Sequence, residues 1–172
     1  DGWYLRADII WHKPNCQPES VKDRPTRSHE YVFLFSKSEQ YYYDHEAIRE
    51  PTTQGDGVRN RRSVWAINTE PYSGAHFAVF PPELVRLCLI AGSPAESTVL
   101  DPFMGSGTTI LAAEKVGRRG YGIEIDPLYV DVAIRRWQEF TKRDAILLAT
   151  GQTFDEVAAE RSASPALKRV RI

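Results

Sequence analysis

Along the chain, hydrophobic positions follow one rhythm before about residue 80 and another after it. In "ADIIWHK" (Ala7 to Lys13) and "EYVFLFSKS" (Glu30 to Ser38) they form short runs rich in β-branched and aromatic side chains, which predict two strands. The intervening "PNCQPESVKDRPTRSH" carries three prolines and scattered charges and reads as a loop. From Glu39 to about Ser73 no period persists. Pro51, Gly55, Gly57 and Pro71 punctuate a polar segment that holds "YYY" and "VRNRRSVW", either an irregular subdomain or a long functional loop. Then "FPPELVRLCLIAG" sets Leu84, Val85, Leu87 and Cys88 at helical spacing, with Gly92 where a C-terminal cap is expected. "STVLD" predicts a buried strand, a helix follows from about Gly107 to Val116, and "GYGIEI" predicts a second strand ending at Glu124. The next helix opens with Asp126 as N-cap and Pro127 in its first turn, and places Val130, Ala133, Ile134 and Trp137 on one face. Thr153 and Glu156 have capping-box spacing ahead of a short helix, and the basic "LKRVRI" is expected to fray.

The second half therefore alternates helix and strand, which implies parallel strands joined by crossovers. In such a unit the turn after the first strand lies at the carboxyl edge of the sheet, where nucleotides bind. That turn is "DPFMGSGTT", Asp101 to Thr109. Its glycines let a ligand approach the backbone, and the following helix N-terminus offers unpaired N–H groups to an anion. Glu124, 17 residues after Gly107, stands where an acid accepts hydrogen bonds from ribose hydroxyls. GSG alone serves equally as a tight turn, and a lone Glu as a surface residue; together they point to a nucleoside-containing ligand. Ile110 occupies the place of the third glycine of a dinucleotide fingerprint and no G-K-[ST] is present, so a pyrophosphate is not expected.

Composition narrows the setting. With 172 residues, 42% of them hydrophobic, the chain can bury one core of ordinary size. Its mean hydropathy is low, no apolar run nears the roughly 20 residues that span a bilayer, and no basic-then-apolar leader precedes the first strand, so no membrane partner and a cytoplasmic location are expected. Cys16 and Cys88 lack metal-site spacing and are expected as free thiols, with no metal bound. A net charge of -1 requires any nucleic-acid surface to be local. The chain begins at Asp1 and its one methionine is Met104, which leads us to expect the C-terminal part of a longer protein or a processed product.

"VLDPFMGSGTT", "GYGIEIDPLYVDVA" and the upstream "GAHFAVFPPELV" resemble the S-adenosylmethionine-dependent DNA methyltransferases that modify exocyclic amino groups, in the permuted β group of N4-cytosine and N6-adenine enzymes. The resemblance runs from about Trp3 to Trp137. It implies an α/β, Rossmann-like methyltransferase fold that is incomplete here, with S-adenosyl-L-methionine as cofactor and double-stranded DNA as partner. Residues 1–38 would be a strand hairpin, 39–75 the target-recognition region, 76–145 the cofactor-binding α/β part and 146–172 a C-terminal helix and basic tail. By the same resemblance Asp101, Pro102, Phe103, Gly105, Ser106, Gly107 and Thr108 surround the methionine portion of the cofactor. Phe77, Ala78, Phe80 and Pro81 would close that pocket, with plain core packing as the alternative for Phe77 and Phe80, and Glu124 would be the ribose acid.

One element of the family pattern is missing. Its [DSN]-P-P-[YFW] tetrad accepts hydrogen bonds from the target amino group and stacks on the flipped base. Here "TEPY" (Thr69 to Tyr72) and "DPLY" (Asp126 to Tyr129) lack the double proline, and "FPPE" lacks both flanking residues, so the catalytic residues remain unassigned and the base stays open between adenine and cytosine. In the permuted order the tetrad precedes these 172 residues. In the family's sheet, as the resemblance implies, the strand carrying it lies beside the one ending at Asp101, and a further strand separates it from the N-terminal hairpin. The expectation is thus two groups of strands with a gap between them, and a chain inactive on its own. For DNA contact the candidates are Arg59, Asn60, Arg61 and Arg62, then Arg24, Arg27 and Lys22, though such clusters are as often a solvated face. Tyr41, Tyr42 and Tyr43 suit either base stacking or packing. Two other functions stay open: half of a split methyltransferase completed by another chain, and methylation of RNA or a small molecule.

Overall fold

The computed structural model describes residues 2–70 and 80–163. Two long antiparallel strands open it, β1 (Tyr4–His12) and β2 (His29–Ser36), in the register Ile9↔Val32 and Trp11↔Glu30. Alternation along β1 turns Ile9 and Trp11 inward. After the short hairpin β3 (Glu50–Pro51) and β4 (Val58–Arg59), β5 (Val64–Ala66) returns parallel to β1, giving the order β2-β1-β5. The described part of the aperiodic segment, residues 39–70, thus contributes a short hairpin and one strand of the first sheet. Three residues with one buried side chain, Trp65, are too few to display a period. Two indoles lock this edge: Trp11 Nε1 donates to the Ile67 carbonyl at 2.8 Å and Trp65 Nε1 to that of Arg62 at 2.9 Å.

Helix α1 (Pro82–Gly92) starts from an extended Pro81, with Pro82 in its first turn. One face carries Leu84, Leu87 and Ala91 onto Ile9, Trp11, Ile48 and Trp65. Another carries Leu89 and Val85 onto Ala112, Ala113, Val99 and Val116. The helix thereby ties the first sheet to the second half of the chain. Its end differs from expectation: Gly92 is still helical, and the extended Ser93 closes the helix through its N–H and hydroxyl, both donating to the Leu89 carbonyl.

Beyond it the alternation appears as read. Strands β6 (Thr98–Asp101) and β7 (Arg119–Gly122) pair in parallel, joined by α2 (Thr108–Lys115). Asp126 caps α3 (Pro127–Thr141), accepting from the Leu128 N–H at 2.9 Å. The capping box of α4 (Phe154–Ala163) is reciprocal, Thr153 N–H donating to Glu156 and Glu156 N–H to the Thr153 hydroxyl.

The two sheets remain separate. Among the described residues no strand pairs with the outer edge of β2 or of β6. On β2 the rings of Tyr31, Phe33 and Phe35 form a half-exposed ladder, with centroids 5.9 and 6.1 Å apart. Leu100, Tyr121 and Ile123 are exposed on and after the β6–β7 pair. The gap expected from the missing strands is present, bridged by α1 rather than by hydrogen bonds.

Candidate functional site

The parallel pair ends at Asp101 and Gly122, and the chain leaving β6 folds over those ends before entering α2. Short bonds hold this turn. Asp101 Oδ1 accepts the Phe103 N–H at 3.0 Å, the Ile123 carbonyl accepts that of Met104 at 3.1 Å, and the Met104 carbonyl accepts that of Gly107 at 2.9 Å. Gly107 takes φ +81°, and a Cβ there would lie 2.7 Å from the Ala133 Cβ on α3. The turn therefore needs glycine twice over, for its left-handed backbone and for its contact with α3.

Glu124 lies two residues past the end of β7, not within it. Its Oε1 accepts the Asp126 N–H and its Oε2 the Gly105 N–H, each at 2.9 Å. The bond from Asp126, then those from Gly105 and Ile125, hold its carboxyl below the usual carboxylate range against the opposing effect of burial. The side chain is thus an anion at neutral pH. Each oxygen has a second lone pair with which to accept a hydroxyl.

Ser106 and Thr108 are buried. Both face Arg136 on α3, whose Nη1 donates to the Ser106 carbonyl at 2.6 Å, to the Ser106 hydroxyl at 2.9 Å and to the Thr108 hydroxyl at 3.4 Å. Phe103, 88% exposed, and Ile125, 97% exposed, flank the turn and Glu124. Apolar side chains left so open beside a carboxylate suit a flat, partly apolar ligand. Sequence reading missed both Arg136 and Ile125. For Ile125 a signal existed, an apolar residue directly after the strand-end acid; for Arg136 only its position three residues after Ala133 on a helix could have pointed inward. Phe80 meets Trp11 edge-on at 6.4 Å and Pro81 is buried at the start of α1; Phe77 and Ala78 lie outside the described residues.

The basic candidates divide by environment. Arg59 Nε donates to Glu50 Oε1 at 2.9 Å, and Arg61 Nε donates to the Ile48 carbonyl at 2.9 Å while its guanidinium lies over the Trp65 ring. Arg59 thus ties β4 to β3 within the hairpin, and Arg61 ties the hairpin to the core residues Ile48 and Trp65. Asn60 and Arg62, between and beside them, are exposed. In the earlier loop Arg24 pairs with Glu19 at 2.7 Å, and Arg27 and Lys22 are exposed. The three tyrosines 41–43 are exposed, with Arg6 between the rings of Tyr4 and Tyr41.

Cys16 and Cys88 are free thiols, and burial pushes that of Cys88 up to about 11. Among the described residues no cluster of three or more His, Cys, Asp or Glu could hold a metal ion, and no helix is long and apolar enough to cross a membrane.

The N6_N4_Mtase family, DNA methylase, matches residues 1–135. The Type II methyltransferase M.Cfr9I of Citrobacter freundii is 58% identical over 138 residues, which span 80% of this chain and 46% of that protein. Among solved structures, the PvuII DNA methyltransferase (cytosine-N4-specific) is similar with a TM-score of 0.65 at 25% identity, over 79% of this chain and 52% of that one. A putative DNA modification methylase from Thermus thermophilus, complexed with S-adenosyl-L-methionine, is similar with a TM-score of 0.55 at 28% identity, over 80% of this chain and 54% of that one. The chain spans about half the length of the curated relatives it matches.

Proposed function

The chain belongs to the N6_N4_Mtase family of DNA methylases, and from that membership we propose that it forms the cofactor-binding and target-facing part of a DNA methyltransferase. The reaction transfers a methyl group from S-adenosyl-L-methionine to the exocyclic amino group of adenine (N6) or cytosine (N4) in double-stranded DNA. One observation carries this reading: an ionised carboxylate, Glu124, bonded to the backbone of a double-glycine turn at the carboxyl edge of a parallel strand pair.

The turn and the acid fit the cofactor. Glu124 retains acceptor capacity for two neighbouring ribose hydroxyls, and the turn offers backbone and the α2 N-terminus to the amino-acid end. When bound, the cofactor supplies an electrophilic methyl group on a sulfonium. Asp101, Pro102, Phe103, Gly105, Ser106, Gly107 and Thr108 would surround its methionine portion, with Phe80 and Pro81 at the boundary of the pocket. Holding the donor rigidly is most of what this chain contributes, because an amino lone pair must meet the methyl–sulfur axis in line.

The acceptors for the amino hydrogens come from a tetrad carried on an N-terminal segment or a complementary chain. Residues 1–38 act as the strand hairpin, 39–75 as the target-recognition region, 76–145 as the cofactor-binding part and 146–172 as an appended helix and tail. Arg59, Asn60, Arg61 and Arg62, with Arg24 and Arg27, serve the DNA side, and no metal takes part. The protein works in the cytoplasm. The Type II name of M.Cfr9I supports a restriction-modification setting.

Calorimetric titration with S-adenosylhomocysteine tests the reading. Wild-type chain should bind it in preference to NAD, and Glu124→Ala should bind about 10- to 100-fold more weakly, as expected for losing one or two hydrogen bonds to a charged acceptor. Equal affinity of the two proteins removes Glu124 from the site, and preference for NAD overturns the assignment.

A further inference from the structure

We propose that Arg136 is a positioning residue for the cofactor loop: by clamping Ser106 and Thr108, it sets the shape in which the turn receives S-adenosyl-L-methionine. This rests on the cofactor reading above. A single guanidinium nitrogen engages the Ser106 carbonyl, the Ser106 hydroxyl and the Thr108 hydroxyl, all within 3.4 Å. Both hydroxyls are buried, so these bonds satisfy groups that water does not reach. One turn back on the same face of α3, Ala133 is buried against Gly107 with no room for any side chain between them. Helix α3 is thus keyed to the turn at two points, steric at Ala133 and polar at Arg136. Glu124 holds the same turn at a third point, through the Gly105 N–H.

Ser106 and Thr108 both belong to the turn proposed to hold the amino-acid end of the cofactor, so the shape that Arg136 gives them is the shape the ligand meets. The residue touches the loop and not the reacting atoms, so its effect belongs in binding.

The test titrates S-adenosylhomocysteine into the 172-residue chain and into Arg136→Met, Arg136→Lys and Glu124→Ala, with amide exchange across residues 102–108 followed without ligand. Arg136→Met should weaken binding about tenfold, near 1.4 kcal/mol, and Arg136→Lys, which keeps the charge, should recover most of it. Exchange of the turn should quicken in Arg136→Met while β1 and β2 keep their protection. Wild-type affinity in Arg136→Met, alongside weakened binding in Glu124→Ala, overturns the proposal and leaves the cofactor reading standing. Faster exchange throughout the chain overturns it too, by making Arg136 an ordinary stability residue. If wild type itself fails to bind, the cofactor reading falls, and unchanged exchange of the turn in Arg136→Met then overturns the clamp as well.

Discussion

Glu124 shows how one side chain joins fold to site. Its carboxylate ties the turn after β6 to the start of α3, through the N–H groups of Gly105 and Asp126. Because those bonds depress its pKa in the folded chain, the stabilisation they bring is fully present above the unfolded value, about 4.3, and is lost as pH falls through the folded one. Protection of the Gly105 amide, taken as its exchange relative to an unstructured amide at the same pH, should therefore fall in acid below the unfolded value, and Glu124→Gln should lack that protection at every pH. A wild-type profile flat from about pH 6 to about pH 3 would refute the tether. Arginine, by contrast, is legible as a residue type but not as a role. "VRNRRSVW" reads as one basic cluster, yet Arg59 and Arg61 are turned to Glu50 and the Ile48 carbonyl while Arg62 is exposed. We expect Arg62→Ala to lower duplex affinity and reduce its salt slope by about one, without loss of thermal stability. An unchanged slope would return Arg62 to the solvated surface.

Helix α1 and the turn before α2 are the elements on which the rest depends. Leu87, 1% exposed, sits where α1 meets Trp11 and Trp65. Leu87→Ala should cost about 2–5 kcal/mol in chemical denaturation. The periodicity of "ELVRLCLIAG" already marks an amphipathic helix; that its two faces serve two different sheets does not follow from period alone. At the turn, Gly107→Ala combines a left-handed φ with a 2.7 Å approach to Ala133. It should destabilise by at least about 1–3 kcal/mol and weaken S-adenosylhomocysteine binding together. Wild-type stability in that variant would mean that the turn can adopt another path. β5 escaped the reading because its strand character comes from pairing with β1, not from its own three residues.

Over the whole molecule the outer edges of β2 and β6 stay unpaired among the described residues, and the exposed ladder of Tyr31, Phe33 and Phe35 adds an apolar face to one of them. Such edges are sticky when open to solvent. The purified chain should bind a hydrophobic dye and self-associate with rising concentration. It should transfer no label above background from S-adenosylmethionine to duplex DNA. Supplying the part of M.Cfr9I that lies outside the shared region, from a relative 58% identical over the shared part, should suppress dye binding and restore transfer. Turnover by the chain alone would require catalytic acceptors among its own residues, Glu70 or Asp126 first.

By itself the sequence determined what depends on neighbours along the chain: the two long strands, the caps at Asp126 and Thr153, and the glycine turn after β6. These follow from residue type and spacing, since caps, turns and periods are local interactions. Only the tertiary structure decided which surfaces meet: α1 as the bridge between sheets, β5 beside β1, Arg59 and Arg61 folded onto the hairpin, and Arg136 reaching 30 residues back to Ser106. A guanidinium is equally at home in water and against a buried carbonyl. Which of the two it finds is settled by how helices pack, and packing has no signature in a single residue's place along the chain.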